Sequence, residues 1–145
     1  MSDKPAAFAT ADEAEAAFYA AFAAIDLAAM GAVWLDSAGV VCVHPGGGLL
    51  RGRAEVMQSW AEILTGVSPP SIEHRLIERL AAGDQEVHVV EESIRAGGDA
   101  QAAPNRVLAT NVYRLGPDGW RMLVHHASLP LMIKRREPDS GRQLH

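Results

Sequence analysis

His44 is the residue of this chain best placed to move a proton. It follows the apolar run Val40–Val43 and precedes Pro45 and the glycines Gly46–Gly48. A polar residue at a strand exit is a common site position. An imidazole titrates near neutral pH and needs only modest tuning to act as a general base. The structural alternative is a strand-end histidine bonded to a neighbouring helix. His125 and His126 are adjacent on a strand, so they point to opposite faces and one can reach a cavity. By strict alternation Trp120, Met122, Val124 and His126 share one face, and Leu123, His125, Ala127 and Leu129 the other. Glu91 and Glu92 sit mid-strand, where one should face inward; Arg75, Arg79 or a histidine are the expected partners.

Six histidines raise the question of a metal. No His-x-His or His-x-x-x-His pair exists and Cys42 has no cysteine partner, so neither a metal nor a cofactor is expected. Convergence in space of His44, His74, His88 and His126 is the one remaining route. Cys42, among apolar neighbours, reads as a buried thiol rather than a nucleophile. Gly46–Gly48 lacks the lysine that would make it a phosphate loop, and is better read as a turn needing positive φ.

These groups must be positioned by a single core, since 145 residues suit one domain. Apolar residues are 48% and charged residues 21% of the chain, as in soluble globular proteins. The net charge of −5, with signs interspersed, argues against a nucleic-acid partner. The basic cluster Lys134–Arg136 lies in a polar tail. Asp12, Glu13 and Glu15 interrupt any signal-peptide core, and no apolar run approaches membrane-spanning length, so a cytoplasmic protein with no membrane partner is expected.

The domain is expected over 10–130, with loose arms at 1–9 and 131–145. Thr10 and Glu13 fit a capping box, and Ala14, Phe18, Phe22 and Ile25 recur at helical spacing. Asp26 reads as the N-cap of a short helix with a Leu27, Met30, Trp34 stripe. A third helix is predicted over 53–64, with Val56, Trp60, Ile63 and Leu64 on its apolar face, stopped by Gly66. Strands are predicted at 40–44, 72–80, 85–95, 106–115 and 120–129, the last two joined by Gly116-Pro117-Asp118-Gly119. Helices first and hairpin-linked strands after them is the α+β pattern: a mostly antiparallel sheet with helices on one face.

This layout, with the phrases VHPGGGLLRGRAEVMQSW and YRLGPDGWRMLVHHAS, resembles the SnoaL-like branch of the nuclear transport factor 2-like superfamily, to which ketosteroid isomerases also belong. The resemblance implies a cone, in which a strongly curved antiparallel sheet wraps a cavity partly closed by three N-terminal helices. Ketosteroid isomerases carry a tyrosine on the first helix, an aspartate base after the first strand and a protonated aspartate on a later strand. Matching these segments brings Phe18 to the tyrosine, with Tyr19 one residue off, His44 to the base and Asn111 to the second aspartate. All three residue types differ from the isomerase pattern. By this resemblance Asn111 would donate its amide to a developing oxyanion, and His126 rather than His125 would face the pocket. The expected pocket lies between Phe18, Tyr19, Phe22, Trp34, Trp60 and the concave sheet.

The superfamily holds many activities on one fold, so three functions compete. The first is a domain that binds a small apolar or carbonyl-containing molecule. The second is an acid–base enzyme (isomerase, cyclase or dehydratase) using His44. The third is a dimeric association domain without ligand. An enzyme needs a proton-transfer group in the cavity with a partner to orient it; a binder needs only the cavity. A homodimer is expected, because strands apolar on both faces leave the sheet's outer face in need of cover.

Overall fold

The computed structural model describes residues 8–98 and 101–130. The expected arms, and Lys134–Arg136 with them, lie outside the described residues except for Phe8 and Ala9. Those two are held in place. The Phe8 carbonyl accepts from the Trp120 N–H at 2.9 Å, and the Arg121 guanidinium lies 4.9 Å from the centre of the Phe8 ring.

Helix α1 (Ala11–Ala23) starts where its capping groups predict. The Thr10 hydroxyl oxygen accepts from the Glu13 N–H at 3.1 Å, and the Glu13 carboxylate accepts from the Ala9 N–H, one residue before the cap. Its buried face carries Ala11, Ala14, Phe18 and Ala21, but also Glu15 and Tyr19. Helix α2 (Leu27–Val33) is capped by Asp26, which accepts from the Ala29 N–H. Met30 and Trp34 are buried as expected, whereas Leu27, at the first helical position, is exposed.

Strand β1 (Val41–Val43) and β2 (Leu49–Arg51) form a hairpin around the glycine turn. β2 is absent from the sequence reading, because three residues are too few to show a period. Gly52, at φ 84°, turns the chain from β2 into α3 (Gly52–Leu64), whose Val56, Trp60 and Leu64 are buried. The long strands β3 (Ser71–Ala82), β4 (Gln85–Arg95), β5 (Asn105–Gly116) and β6 (Gly119–Ser128) follow as antiparallel neighbours. The sheet order is β2-β1-β6-β5-β4-β3. One pair departs from the antiparallel expectation: β1 runs parallel to β6, with Cys42 opposite His125. No hairpin joins these two strands, so no turn dictates their relative direction. The architecture is the expected α+β cone: three helices on the inner face of a curved six-stranded sheet.

A bulge in β6 corrects the facing of its histidines. Val112 pairs with Val124 and Tyr113 with Met122, which leaves Leu123 as an extra residue. An extra residue shifts the alternation by one position. Trp120 and Met122 face the core before the bulge, and His125 and Ala127 face it afterwards. His125 is therefore buried and His126 exposed, the reverse of the expected facing. The core lies between sheet and helices and is dominated by Phe18, Met30, Trp34, Trp60, Tyr113 and Met122.

A second polar cluster ties α1 to the sheet. Fully buried His88 on β4 directs Nδ1 at Glu15 Oε1, 3.0 Å away, and Nε2 at Glu86 Oε1, 2.9 Å away. Glu15 Oε1 also accepts from the Tyr113 hydroxyl at 2.8 Å. Arg79 closes the cluster with a two-pronged bond to Asp12 and a longer contact to Glu86. An imidazole facing a carboxylate on both sides must donate from both nitrogens and so carry charge. Burial opposes that charge, but the bonds to Glu15 and Glu86 outweigh it and raise the His88 pKa above its ordinary 6.5. A raised histidine pKa contributes stability in full below 6.5, and loses it as pH climbs through the higher value in the fold. Urea unfolding should accordingly show stability falling as pH rises above the ordinary histidine value of 6.5. His88→Gln should flatten that slope; an unchanged slope in the variant would refute the assignment.

Candidate functional site

A cleft of about 270 Å³ opens between α1, α3 and the sheet. Its polar wall is His44, Glu92 and His125, and its apolar wall includes Phe22, Trp60 and Ile63. His44 comes from the end of β1, Glu92 from the inward-facing positions of β4, and His125 from β6 beyond the Leu123 bulge. Trp60 stands edge-on to the His44 ring at 4.8 Å, and the two histidine rings lie 6.4 Å apart.

Hydrogen bonds fix the proton on each ring. The Ser59 hydroxyl donates its one proton to the Val56 carbonyl at 2.7 Å. Its oxygen, 2.9 Å from His44 Nε2, must then accept from that nitrogen. His44 Nδ1 is left as the lone pair; the Cys42 sulfur lies 4.0 Å from it and 3.5 Å from Nε2. His125 is set by a longer chain. The Tyr19 hydroxyl donates to Glu92 Oε2 at 2.5 Å, and the Asn111 amide donates to the Tyr19 oxygen at 3.0 Å. Asn111 Oδ1 is thereby turned toward His125 and accepts from its Nδ1 at 2.6 Å. His125 Nε2 is the second lone pair.

Burial governs the charges of the cleft. It lowers the His44 pKa, and with the nearby His44 and His126 it pushes His125 down to about 3, so both rings are neutral at pH 7. It raises Glu92 to about 7 despite the opposing Tyr19 hydrogen bond, with Glu15 adding to the rise. The Tyr19 phenol is pushed well up by burial and by the Glu92 carboxylate. Burial also lifts the Cys42 thiol to about 12, so it carries no thiolate at neutral pH.

Of the residues named from sequence, His44, Phe22 and Trp60 line the cleft. Tyr19 and Asn111 are buried behind it as links of the chain to His125. Asn111 spends its amide on Tyr19, so in this arrangement it does not offer that donor to a ligand. Phe18 sits one layer deeper, its ring 4.8 Å from that of His125. Trp34 is elsewhere, against Met122 and beside a separate cleft with Arg53 and Arg121. His126 lies on the outer face, and His125 takes the cleft position. Ser59 was not legible, since it meets His44 only after the glycine turn and two turns of α3. Glu92 is the inward member of the Glu91–Glu92 pair, with Tyr19 rather than an arginine or histidine as partner. Glu91 faces outward onto Arg75 at 2.9 Å.

His44, His74, His88 and His126 stand in four different surroundings: Ser59, the Tyr19 ring, the Glu15 cluster and the outer face. Among the described residues one group, Asp12, Glu86 and His88, brings three metal-ligand atoms within 4.8 Å of one another. Arg79 and Glu15 already engage those side chains, so the group is an ion-pair cluster.

A curved sheet with three helices on its inner face and a cleft between them is the nuclear transport factor 2-like α+β cone. Within that class the chain belongs to the SnoaL-like domain family, whose model matches residues 12–132. A crystal structure from Thiobacillus denitrificans, described as a calcium/calmodulin-dependent protein kinase type II association domain, is 38% identical with a TM-score of 0.80, covering 86% of this chain and 98% of that one. A crystal structure of the same fold family from Streptomyces avermitilis, described as a dehydratase, is 34% identical with a TM-score of 0.76, covering 83% of this chain and 94% of that one. The Arabidopsis thaliana F-box protein SKIP8 is 27% identical over 106 residues, which are 73% of this chain but 43% of that protein, so the chain spans less than half the length of this curated relative.

The Tyr19 hydroxyl satisfies two buried groups at once. Tyr19→Phe should destabilise the fold by about 1–3 kcal/mol in urea, through an unpaired Glu92 and an unpaired Asn111 amide. The lost bond is one that holds Glu92 down, so the Glu92 pKa should rise above about 7. Carboxyl carbon shifts followed by NMR across pH would detect this, and an unchanged titration would contradict the assigned network.

Proposed function

We propose that this SnoaL-like domain binds a small, mainly apolar molecule in the His44–His125 cleft and removes a proton from it. The carrying observation is that each imidazole has one nitrogen occupied by a protein acceptor and the other left as a lone pair. A pure binding domain needs no such oriented base, whereas general base catalysis does. Burial keeps both rings in the basic form at neutral pH and below it. The apolar wall of Phe22, Trp60 and Ile63 excludes water, which favours proton transfer to a desolvated base. The neighbour described as a dehydratase supports this reading, since dehydration begins or ends with a proton transfer.

A reporter that needs only a base tests the proposal. The ring of 5-nitrobenzisoxazole opens when its carbon-bound proton is removed, and the product is coloured. The protein should open it roughly 10²-fold or more faster than free imidazole at equal concentration. The rate should begin to fall at a lower pH than the 6.5 at which free imidazole loses its base form, because both histidine pKa values are lowered. His44→Ala should cost no more than about 1.5 kcal/mol of stability, as Ser59 keeps its bond to Val56, while turnover falls. Activity no greater than that of imidazole, or untouched by both His44→Ala and His125→Ala, would refute the reading.

We also propose a homodimer formed through the outer face of the sheet. Val87, Val112 and Val124 are register partners across three strands, in a row that leaves apolar surface on the side away from the helices. The neighbour described as an association domain supports this. Light scattering at micromolar concentration should give about twice the 15.5 kDa chain mass; a mass of 15.5 kDa would count against it. The lone buried thiol of Cys42 supports a cytoplasmic setting.

A further inference from the structure

Resting on the reading of the cleft as a ligand site, we infer that it selects an uncharged molecule presenting a hydroxyl group to the histidine pair, a small alcohol or phenol, over the matching ketone or carboxylate. The fixed protons carry this. His44 Nδ1 and His125 Nε2 are both acceptors, so the pair asks its occupant for a donor. A bare carbonyl would set its own lone pairs against theirs. Among the described residues lining the cleft there is no lysine or arginine, and Glu92 is the charged type present. An anionic ligand would meet a carboxylate and two neutral rings in a desolvated space, with nothing to offset its charge. The donors close by are poorly placed to reverse this preference. Asn105 is exposed at the rim, and the Trp60 indole N–H is fully enclosed in the packing with no partner. Asn111, the donor expected for a carbonyl oxygen, is committed to Tyr19.

The discrimination follows from what each ligand leaves unpaired. A site built to accept from a hydroxyl loses a hydrogen bond to the ketone and gains repulsion between lone pairs. Glu92 is the one group whose protonation would blur the rule, since a protonated carboxyl can donate. Its value of about 7 means that a measurement at about pH 8 finds it mostly ionised.

Three probes on one two-ring frame separate the cases: 1-indanol, 1-indanone and indane-1-carboxylate. Each is titrated at about pH 8 into the full chain, with affinity and side-chain nitrogen shifts of His44 and His125 read by NMR. The expected result is that 1-indanol binds, moves His44 Nδ1 or His125 Nε2, and binds roughly tenfold or more tighter than 1-indanone, with the carboxylate weaker again. If the ketone or the carboxylate binds as tightly as the alcohol with the histidine shifts, the hydroxyl preference is overturned while the cleft survives as a ligand site. If no probe moves either histidine, the cleft reading and this inference fall together.

Discussion

One phenolic hydroxyl joins helix, sheet and cleft. The Tyr19 O–H leaves α1, donates to Glu92 on β4 and accepts from Asn111 on β5. Every polar atom in that exchange is removed from water, so each needs its partner. The direction of donation at Tyr19 is passed on without freedom: it turns the Asn111 amide, and the amide decides which nitrogen of His125 keeps a proton. The electronic character of the cleft is thus set by a residue behind its wall.

The same helix organises a second buried histidine in the opposite sense. Four residues before Tyr19, Glu15 reaches the inner face of the sheet and meets His88. His88, between two carboxylates, is held as a cation; His125, facing an amide oxygen and another imidazole, is held neutral. Both are buried, so burial alone does not decide histidine charge. The difference lies in the charge of the groups each ring faces. One ring contributes to holding α1 on the sheet, and the other is left available as a base.

Much of the fold was legible because its signals are local. The Thr10 and Asp26 caps, the stripe on α1, the turn at Gly116–Gly119 and the valine-rich β4 each depend on neighbours in sequence. The site was legible only in part, for reasons that can be named. His44 is marked by the apolar run before it and the glycines after it. The facing of His125 depends on one extra residue, Leu123, which no alternation rule anticipates, since the bulge answers to pairing with β5. The Tyr19–Glu92 bond spans 73 positions of sequence, and only the folded sheet brings its ends together. Trp34 looked like pocket wall because an apolar helical stripe does not say which side of the core it fills.

The two histidines of the cleft are carried by parts of unequal firmness. His125 sits on a ten-residue strand paired on both sides and is tied through three further side chains to α1, β4 and β5. His44 follows a strand of three residues whose hairpin partner, β2, forms the edge of the sheet, and one hydrogen bond to Ser59 with the edge-on Trp60 ring steadies it against α3. Displacing the hairpin breaks few hydrogen bonds, whereas displacing His125 unravels the centre of the molecule. The cleft therefore has an anvil and a jaw. Changes in the length or composition of the Gly46–Gly48 turn can re-aim His44, and so alter which molecules fit, while the relay behind His125 continues unchanged.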